Sequence, residues 1–297
     1  MTRDRKGRSI NGWLVIDKPA RLTSAKTVAA VKRLTGARKA GHGGTLDPLA
    51  TGVLPIALGE ATKTAGHLLD GTKAYRFTVR WGEERDTDDA DGRLVGRSER
   101  LPSEASIRRA LGAFRGPIRQ VPPRYSALKL AGKRAYALAR EGEAFELSPR
   151  RVEIHRLELI AASGPEARLE LECGKGTYVR ALVRDLARAL GTVGFVAALR
   201  RIRVGPFTEE SAISLDKLDS LVHINALEDK LFRIEAALVG IPALPLTESQ
   251  ATRLRHGQAV RVSHLGHGRV YATAAGRPVA LAEVADGEVR PVRVFNI

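Results

Sequence analysis

Apolar residues recur at helical spacing between residues 177 and 190, and they predict the clearest helix of the chain. The apolar positions fall at i, i+3, i+4, i+7, i+8 and i+11, which places them on one helix face. They are Val179, Leu182, Val183, Leu186, Ala187 and Leu190. Gly191 predicts the end of this helix. Arg180, Arg184 and Arg188 form a basic stripe beside its apolar face.

A strand and a second helix are predicted near the start of the chain. Residues 13–16 are apolar and precede Pro19, which is typical of a short buried strand. Thr23 or Ser24 can cap a helix that ends at Gly36. Alternation predicts strands over 75–81, 151–159 and 167–173, and periodicity predicts a helix over 106–114. Residues 85–102 are polar and turn-rich, and residues 122–142 begin as a loop and become helical near Ala135.

The pattern changes near Gly240. The Pro-punctuated linker GIPALPL is followed by the strand-like segments AVRVS, RVYATAA, PVALAEV and VRPVRVF, with glycines between them. Short strands at this spacing are typical of a small closed β module. The chain is thus predicted to hold a mobile basic arm over 1–10, an α/β (α+β) domain over 11–240 and a β barrel over 241–297.

Composition adds the class of partner. The 297 residues are 43% hydrophobic and 28% charged, as in ordinary globular proteins, with 49 Lys and Arg against 33 Asp and Glu. A net charge of +16 favours a polyanionic partner over a merely solvated basic surface. No apolar run approaches the roughly 20 residues that span a bilayer, so nucleic acid is favoured over membrane.

Cysteine content and failed motifs remove several function classes. The single Cys173 permits no intrachain disulfide, and the basic start lacks the apolar core of a signal peptide, so we expect a cytoplasmic protein. DTDDADG, at 86–92, resembles a calcium loop, but Thr87 and Ser98 stand where acids are required. GHGG lacks the third glycine of a dinucleotide fingerprint, and neither G-x-x-x-x-G-K, H-E-x-x-H nor G-x-S-x-G occurs. Metal, nucleotide and serine-hydrolase chemistry are therefore disfavoured.

One segment, GHGGTLDPLATGVLP at 41–55, carries candidate chemistry. Its Asp47 lies between a Gly-rich turn and Pro48, which biases Asp47 away from helical backbone angles. The glycines allow other chain segments to approach closely. Two interpretations stand at this point: an ordinary turn aspartate, which local physics favours, and a reactive carboxylate.

The same segment, preceded by VIDKP and followed by LGEATK, closely resembles the catalytic core of the TruB family, the bacterial tRNA pseudouridine-55 synthases. Further resemblances follow in family order and, with the C-terminal module, cover nearly the whole chain: KAYRF, DTDDADG, PPRYSALKLAGKRAYALAREG, KGTYVRALVRDLARALG and LRRIRVGPF. The resemblance implies a pseudouridine synthase catalytic domain, with a mixed sheet flanked by helices, and a PUA-like C-terminal domain. It also implies isomerisation of uridine 55 in the tRNA T-loop without cofactor or metal.

The resemblance assigns roles residue by residue. Asp47 matches the catalytic nucleophile and Arg180 the arginine that pairs with it and favours its charged form. Asp89 matches a second aspartate of that network. Tyr75 matches the tyrosine that stacks on the target base and is a candidate for proton transfer. Without the resemblance, Arg180 would be read as a solvated helix arginine, Asp89 as part of an acidic turn and Tyr75 as a core tyrosine.

Three further residues match positions around the target uridine. Tyr178 and Leu199 match residues that line its pocket, although Leu199 suits a plain core equally well. His42 matches the histidine that fills the space left when the target nucleotide flips out of the loop; its alternative is a turn histidine. One departure is Gly43, where many relatives carry a hydroxyl residue, and it predicts a more flexible loop.

Basic residues suit contacts to the RNA backbone. Lys18, Lys129, Lys133 and Arg134 are candidates for phosphate contacts, with solubility as the alternative. Lys18 is also a candidate for a supporting role in the site. Four arginines of the PUA-like domain could extend the footprint towards the tRNA acceptor end: Arg253, Arg255, Arg261 and Arg269.

Two rival functions remain beside an enzyme that acts alone as a monomer. The catalytic subunit of a guide-RNA particle shares the same core, but the bacterial-type YSALKLAGKRAYALAREG segment and the short C-terminal module argue against it. A non-catalytic tRNA-binding protein or folding chaperone would fit the basic charge. A pure binder has no need of Asp47, Tyr75 and Arg180 together.

Overall fold

The computed structural model describes residues 7–126, 128–130, 132–262 and 266–297, whose strands form one large sheet, one smaller sheet and two hairpins. In chain order the strands are β1 (Gly12–Lys18), β2 (Ala40–His42), β3 (Thr51–Leu58), β4 (Lys73–Trp81), β5 (Glu83–Arg85), β6 (Leu94–Arg97), β7 (Gly116–Gln120), β8 (Lys129–Leu130), β9 (Lys133–Arg134), β10 (Arg150–Ser163), β11 (Glu166–Cys173), β12 (Gly194–Val204), β13 (Phe207–Thr208), β14 (Ala243–Pro245), β15 (Val260–Arg261), β16 (Gly268–Ala274), β17 (Arg277–Ala285) and β18 (Glu288–Val294). The α-helices are α1 (Ser24–Thr35), α2 (Ala65–Asp70), α3 (Glu104–Ala110), α4 (Ala135–Arg140), α5 (Val179–Ala189), α6 (Leu215–His223) and α7 (Glu248–Arg255).

The large sheet is mixed, as predicted. Its order is β1-β3-β12-β4-β11-β10-β7, with β2 on β3 and β13 on β12. Strands β3 and β12 run parallel, and the other pairs are antiparallel. Helix α5 lays its predicted apolar face on this sheet, and Leu182, Val183 and Leu186 are almost fully buried in the main core. The predicted α/β fold class is confirmed.

Helix α1 begins and ends where its capping residues predict. The Thr23 hydroxyl oxygen accepts a hydrogen bond from the backbone N–H of Lys26, so one orphan donor of the first turn is satisfied. Gly36 closes the helix at a φ of 67°, in the left-handed region that glycine adopts without strain. The chain therefore passes directly from α1 to β2 and to the Gly-rich segment that follows β2.

The segment over 41–55 is not one loop, which corrects the sequence-based interpretation. Its two ends belong to β2 and β3, which pair with each other, and only the residues between them are irregular. Strand β3 is buried on both faces, so its continuous apolar sequence lacks the alternation that marks a half-buried strand. The polar stretch 85–102 likewise contains part of the β5–β6 hairpin.

The C-terminal strands form a five-stranded, curled half-barrel sheet in the order β14-β16-β17-β18-β15. Helix α7 covers it, with Ala251 and Leu254 fully buried. Leu281 and Phe295 of this unit share a second core cluster with Trp13 of β1. The Lys63 ammonium donates to the Val294 carbonyl at 2.7 Å, and so the C-terminal unit is fixed to the larger one by apolar and polar contacts.

The predicted mobile arm needs correction for residues 7–10. The backbone N–H of Arg8 donates to the Gly36 carbonyl at 2.7 Å, and the Arg38 backbone N–H donates to the Arg8 carbonyl. Because these bonds tie the segment to the end of α1, this part of the arm is ordered. Residues 1–6 lie outside the described residues. Among the described helices, none has both the length and the apolar content for a membrane span.

Candidate active site

Asp47 lies in the short irregular segment between β2 and β3, and both of its neighbours are anchored. The Ser24 hydroxyl accepts from the Leu46 N–H at 2.8 Å and donates to the Leu46 carbonyl at 2.9 Å. The Pro48 carbonyl accepts from the Arg21 N–H at 2.7 Å. With buried Leu46 on one side and a tethered Pro48 on the other, the backbone of Asp47 has little freedom to move.

Arg201 of β12 holds the same segment through hydrogen bonds to its backbone. Its guanidinium donates to the carbonyls of Val53, Thr45 and Gly44, at 2.9, 3.0 and 3.1 Å. The side chain is 1% exposed, so these carbonyls take the place of water around a buried charge. One guanidinium therefore links the Gly-rich start of the irregular segment, at Gly44, to the first residues of β3, at Val53.

The strands approach closely at Gly52, where φ is 101°. A Cβ atom there would lie 2.2 Å from the carbonyl oxygen of Arg201. Gly52 is thus the residue that allows β3 to pair closely with β12 at Arg201.

Arg180 of α5 reaches Asp47, and the pair forms the charged centre of the site. Its Nε lies 2.8 Å from Asp47 Oδ2, while its other nitrogens donate to the carbonyls of Thr87 and Tyr125. The Arg180 side chain is 4% exposed and that of Asp47 is 31% exposed. Burial disfavours the charged guanidinium, but Asp47, Asp89 and Asp88 outweigh it and raise the pKa of Arg180. The arginine is therefore a fixed buried cation facing an accessible carboxylate.

Asp89 extends this network from the DTDDADG segment. Its Oδ2 lies 3.5 Å from Arg180 Nε, and its side chain is 8% exposed. Burial raises the pKa of Asp89, against the opposing hydrogen bond from Thr87 and the charge of Arg180. The preceding Asp88 adopts a φ of 60° and pairs with Arg184 at 2.9 Å. The segment that sequence reasoning tested as a calcium loop is instead held against α5 by arginines.

A cavity of about 300 Å³ opens beside Asp47. Tyr75 of β4, Tyr178 at the start of α5 and Leu199 of β12 all line it, together with Lys73 and Arg201. Burial raises the pKa of Tyr75 to about 12, so its hydroxyl stays protonated at neutral pH. The backbone of Tyr178 is fixed by both ends of the Gln120 amide, at 2.8 and 3.1 Å.

His42 and Gly43 lie at the start of the irregular segment, outside the lining of this cavity. His42 Nδ1 accepts from the Gly44 N–H at 3.3 Å, and the ring is half-buried. At Gly43 an added Cβ would meet Leu68 Cδ1 at 2.6 Å. Leu68 thus fills the space that a side chain at this position would need.

The structure corrects the phosphate-binding role considered for Lys18. Its side chain is fully buried, and its ammonium donates to the carbonyls of Leu22, Pro19 and Pro48 at 2.7, 2.8 and 3.2 Å. With its three N–H groups occupied, Lys18 supports the Asp47 segment and offers no donor to a phosphate. Burial lowers the pKa of Lys18 to about 8, partly opposed by the charge of Asp47.

The remaining basic candidates lie on hairpins and on the C-terminal unit. Lys129 and Arg134 face each other across the β8–β9 hairpin, and their side chains lie outside the described part of the structure. Lys133 is exposed and near Glu141 and Glu143, at 3.4 and 3.3 Å. The four C-terminal arginines considered above are all exposed. In the described ranges, no three His, Cys, Asp or Glu side chains are grouped so that they could hold a metal ion.

Comparison with known proteins agrees with this arrangement. Residues 32–179 match the model of the TruB family pseudouridylate synthase N-terminal domain. Residues 180–238 match the tRNA pseudouridylate synthase B C-terminal domain, and residues 241–296 match the C-terminal domain of tRNA pseudouridine synthase II. The tRNA pseudouridine synthase B of Bradyrhizobium diazoefficiens is 55% identical over 99% of this chain and 88% of its own. The chain belongs to the TruB family of pseudouridylate synthases.

Further TruB-family relatives and solved structures support this membership. The tRNA pseudouridine synthase B of Rhodospirillum rubrum is 50% identical over the full length of both chains. A chain in a crystal structure of a Cbf5-Nop10-Gar1 complex is 26% identical, with a TM-score of 0.74 over 96% of this chain and 84% of its own. The predicted enzyme class, an isomerase that makes pseudouridine, is confirmed.

Two charged residues that line the cavity of the candidate site, Lys73 and Arg201, were not predicted from the sequence. Both lie in segments quoted for the resemblance, KAYRF and LRRIRVGPF, but lysines and arginines are so abundant in this chain that neither stood out. The signal that could have found these two residues is their position within a strand. Each falls at a buried position of its strand, where a charge needs a specific partner.

Proposed function

We propose that this protein converts uridine 55 in the T-loop of tRNA to pseudouridine, with Asp47 as nucleophile. The observation that carries the proposal is the contact between Asp47 and Arg180. An accessible carboxylate at the edge of a nucleobase-sized cavity lies 2.8 Å from a buried cation. An ionised carboxylate can both attack a carbon atom and leave again, as an isomerisation without cofactor requires.

The reaction breaks the bond between N1 and C1′ and forms a bond between C5 and C1′. Asp47 can attack either C1′ of the sugar or the pyrimidine ring. On the first route the electron pair of the broken bond passes onto the uracil ring; on the second, attack on the ring itself leaves negative charge there. In both, C5 finally loses its proton and N1 gains one, so that no atom is added or removed overall.

The other candidate residues act on the target nucleotide around Asp47. Tyr75 stacks on the base, and Tyr178 and Leu199 close the apolar part of the cavity. A uridine inside a folded T-loop must first leave its stack, at a cost of a few kcal/mol. His42, on the segment before Asp47 and outside the cavity, offers an imidazole that can occupy the place the base vacates.

Contacts away from the cavity position the tRNA. The exposed arginines of the C-terminal unit extend the binding surface from the T-arm towards the acceptor end. We divide the chain into a catalytic domain over 11–240 and a PUA-like domain over 241–297, and we expect a cytoplasmic monomer. Because backbone contacts release counterions, tRNA affinity should fall steeply with salt.

The enzyme acts without a guide RNA. The Rhodospirillum rubrum relative, which matches end to end at 50% identity, is a tRNA pseudouridine synthase B. The chain of the Cbf5-Nop10-Gar1 complex shares the fold at 26% identity. A chaperone role in tRNA folding is compatible with the same binding surface.

The test uses unmodified tRNA transcript and purified protein, with no other RNA or protein present. Pseudouridine is mapped by carbodiimide modification and reverse transcription. We expect one new stop at position 55, and no stop in a transcript with cytidine at that position. Product only after addition of a guide RNA would favour the guide-RNA particle. Tight binding with no product would favour the non-catalytic binder.

A further inference from the structure

Lys73 is a buried cation in the wall of the cavity that the reaction described above does not use. It begins β4, two residues before Tyr75, and its side chain is 8% exposed. Its ammonium donates to the carbonyls of Leu69 and Gly71, at the end of α2. A lysine ammonium carries three N–H groups, and the described residues accept from two of them. No hydrogen bond from the third N–H to a described residue is found, and Lys73 lines the cavity.

The surroundings of Lys73 make this wall electropositive. The Arg201 guanidinium lines the same cavity, and its own hydrogen bonds go to neutral carbonyls. On the outer side, Asp70 is engaged by Lys175 at 2.9 Å. The carboxylate that lines the cavity, Asp47, is paired with Arg180. Two buried cations therefore face the cavity without a carboxylate of their own, which favours an anionic occupant.

Uracil is a neutral base in the tRNA and becomes an anion only during the reaction. If Asp47 attacks C1′, the N1–C1′ electron pair passes to the ring and its charge resides on O2 and O4. If Asp47 attacks the ring, the added electron pair also resides on a ring oxygen. The occupant that needs a cation is thus the uracil of the intermediate.

We propose that Lys73 is a further catalytic residue, whose ammonium donates a hydrogen bond to a uracil oxygen and stabilises the negative charge of the ring. This role rests on the proposed function and holds for either route of attack. No proton is transferred to the ring oxygen. When C5 bonds to C1′, the charge leaves the ring and the hydrogen bond weakens, so the interaction is strongest while the ring is anionic.

The pH dependence follows from the same site. Burial lowers the pKa of Lys73 to about 8, reinforced by Arg201 and Lys175 and opposed by the Cys173 thiol and Asp70. The ammonium is the active form. The single-turnover rate should therefore be flat below pH 8 and should fall above it.

The test compares two substrates at saturating enzyme: tRNA with uridine at position 55 and tRNA with 5-fluorouridine there. Fluorine withdraws electrons and stabilises negative charge on the ring, so the fluorinated intermediate depends less on a hydrogen bond from Lys73. Consumption of the target nucleotide is measured in single turnovers for wild type and Lys73→Met. The control is Lys217→Met, an exposed lysine of α6 outside the cavity lining. Lys73→Gln, which keeps a donor for the two carbonyls, replaces Lys73→Met if that variant unfolds.

We expect Lys73→Met to react about 100-fold more slowly with uridine, as when one electrostatic stabiliser is removed, at nearly unchanged tRNA affinity. With 5-fluorouridine the deficit should shrink to about a tenth of that. A wild-type rate in Lys73→Met, or an equal deficit with both substrates, would overturn the role and leave Lys73 as a structural tether of α2. A wild type that converts no uridine would contradict the proposed function itself, and the role of Lys73 with it.

Discussion

Arg180 Nε lies 2.8 Å from Asp47 Oδ2, and the two side chains differ sharply in exposure, at 4% and 31%. The arginine is fixed by two further backbone carbonyls from separate segments. The carboxylate, in contrast, keeps an open side towards the cavity. In the proposed mechanism, Arg180 supplies the fixed charge and Asp47 is the group that reacts.

The first prediction concerns the shape of the Arg180 guanidinium. Arg180→Lys keeps the charge but cannot reach Asp47 and both carbonyls at once. We expect the single-turnover rate to fall by about 100-fold, as for loss of one fixed electrostatic donor. Arg180→Met should in addition lower the free energy of unfolding by about 3–5 kcal/mol, because it removes the cation that is paired with the buried Asp89. Arg188→Lys, on the same helix but 64% exposed, is the matched control and should change neither quantity.

The second prediction concerns Lys18 and the pH dependence of stability. Burial lowers the pKa of Lys18 from its ordinary 10.5 to about 8. Below pH 8 both the folded and the unfolded chain bind this proton. Between pH 8 and 10.5 the unfolded chain binds more, so the free energy of unfolding rises with pH.

Urea unfolding at pH 7.5 and 9.5 measures this rise. Lys18 should contribute about 2 kcal/mol of it, and Lys73, with a pKa lowered by burial to about 8, should contribute with the same sign. Lys18→Met should show a smaller rise than wild type and keep the part due to Lys73. Equal rises in the two proteins would contradict the account of Lys18.

The third prediction concerns Gly52. A Cβ there would lie 2.2 Å from the Arg201 carbonyl, at a φ of 101°, so Gly52→Ala must push β3 away from β12. We expect a loss of about 2 kcal/mol or more in the free energy of unfolding. Gly112→Ala is the control, since nothing lies within 4 Å of an added Cβ there, and it should stay within about 1 kcal/mol of wild type. Equal effects of the two substitutions would argue against the close approach.

The fourth prediction treats Arg201 as a positioning residue. Arg201→Lys keeps one cation in place of a fork that spans Gly44, Thr45 and Val53. Backbone amides over 43–53 should then exchange faster with deuterium in mass spectrometry, while those of α5 stay protected. The turnover rate should fall with little change in tRNA affinity, because the reacting carboxylate is less well held. Unchanged exchange over 43–53 would show that the segment is held without Arg201.

The parts of this fold that sequence predicts are those with local signals. Helix α5 has its apolar periodicity and α1 has Thr23 and Gly36 as caps, so both are found with nearly correct bounds. Strand β3 is missed because burial on both faces removes its alternation. Its pairing with β12, between residues about 150 apart in sequence, leaves no local signal at all.

The residues of the candidate site likewise differ in whether a local sequence signal reveals them. Asp47 on its own resembles a turn aspartate, and it was the company of motifs in family order that singled it out. Arg180 lies on a predictable helix, but the sequence cannot tell that its stripe neighbour Arg188 faces solvent while Arg180 is buried against Asp47. Arg201 and Lys73 acquire their meaning only from the carbonyls and the cavity around them, which tertiary structure brings together.

The most direct test of the account is the single-turnover rate of Asp47→Asn on unmodified tRNA, measured beside its tRNA affinity. Asparagine retains an oxygen that can accept from Arg180 Nε, so the fold and the binding surface should persist. We predict wild-type affinity and thermal stability with no detectable pseudouridine at position 55. Turnover at the wild-type rate would contradict the assignment of Asp47 as nucleophile.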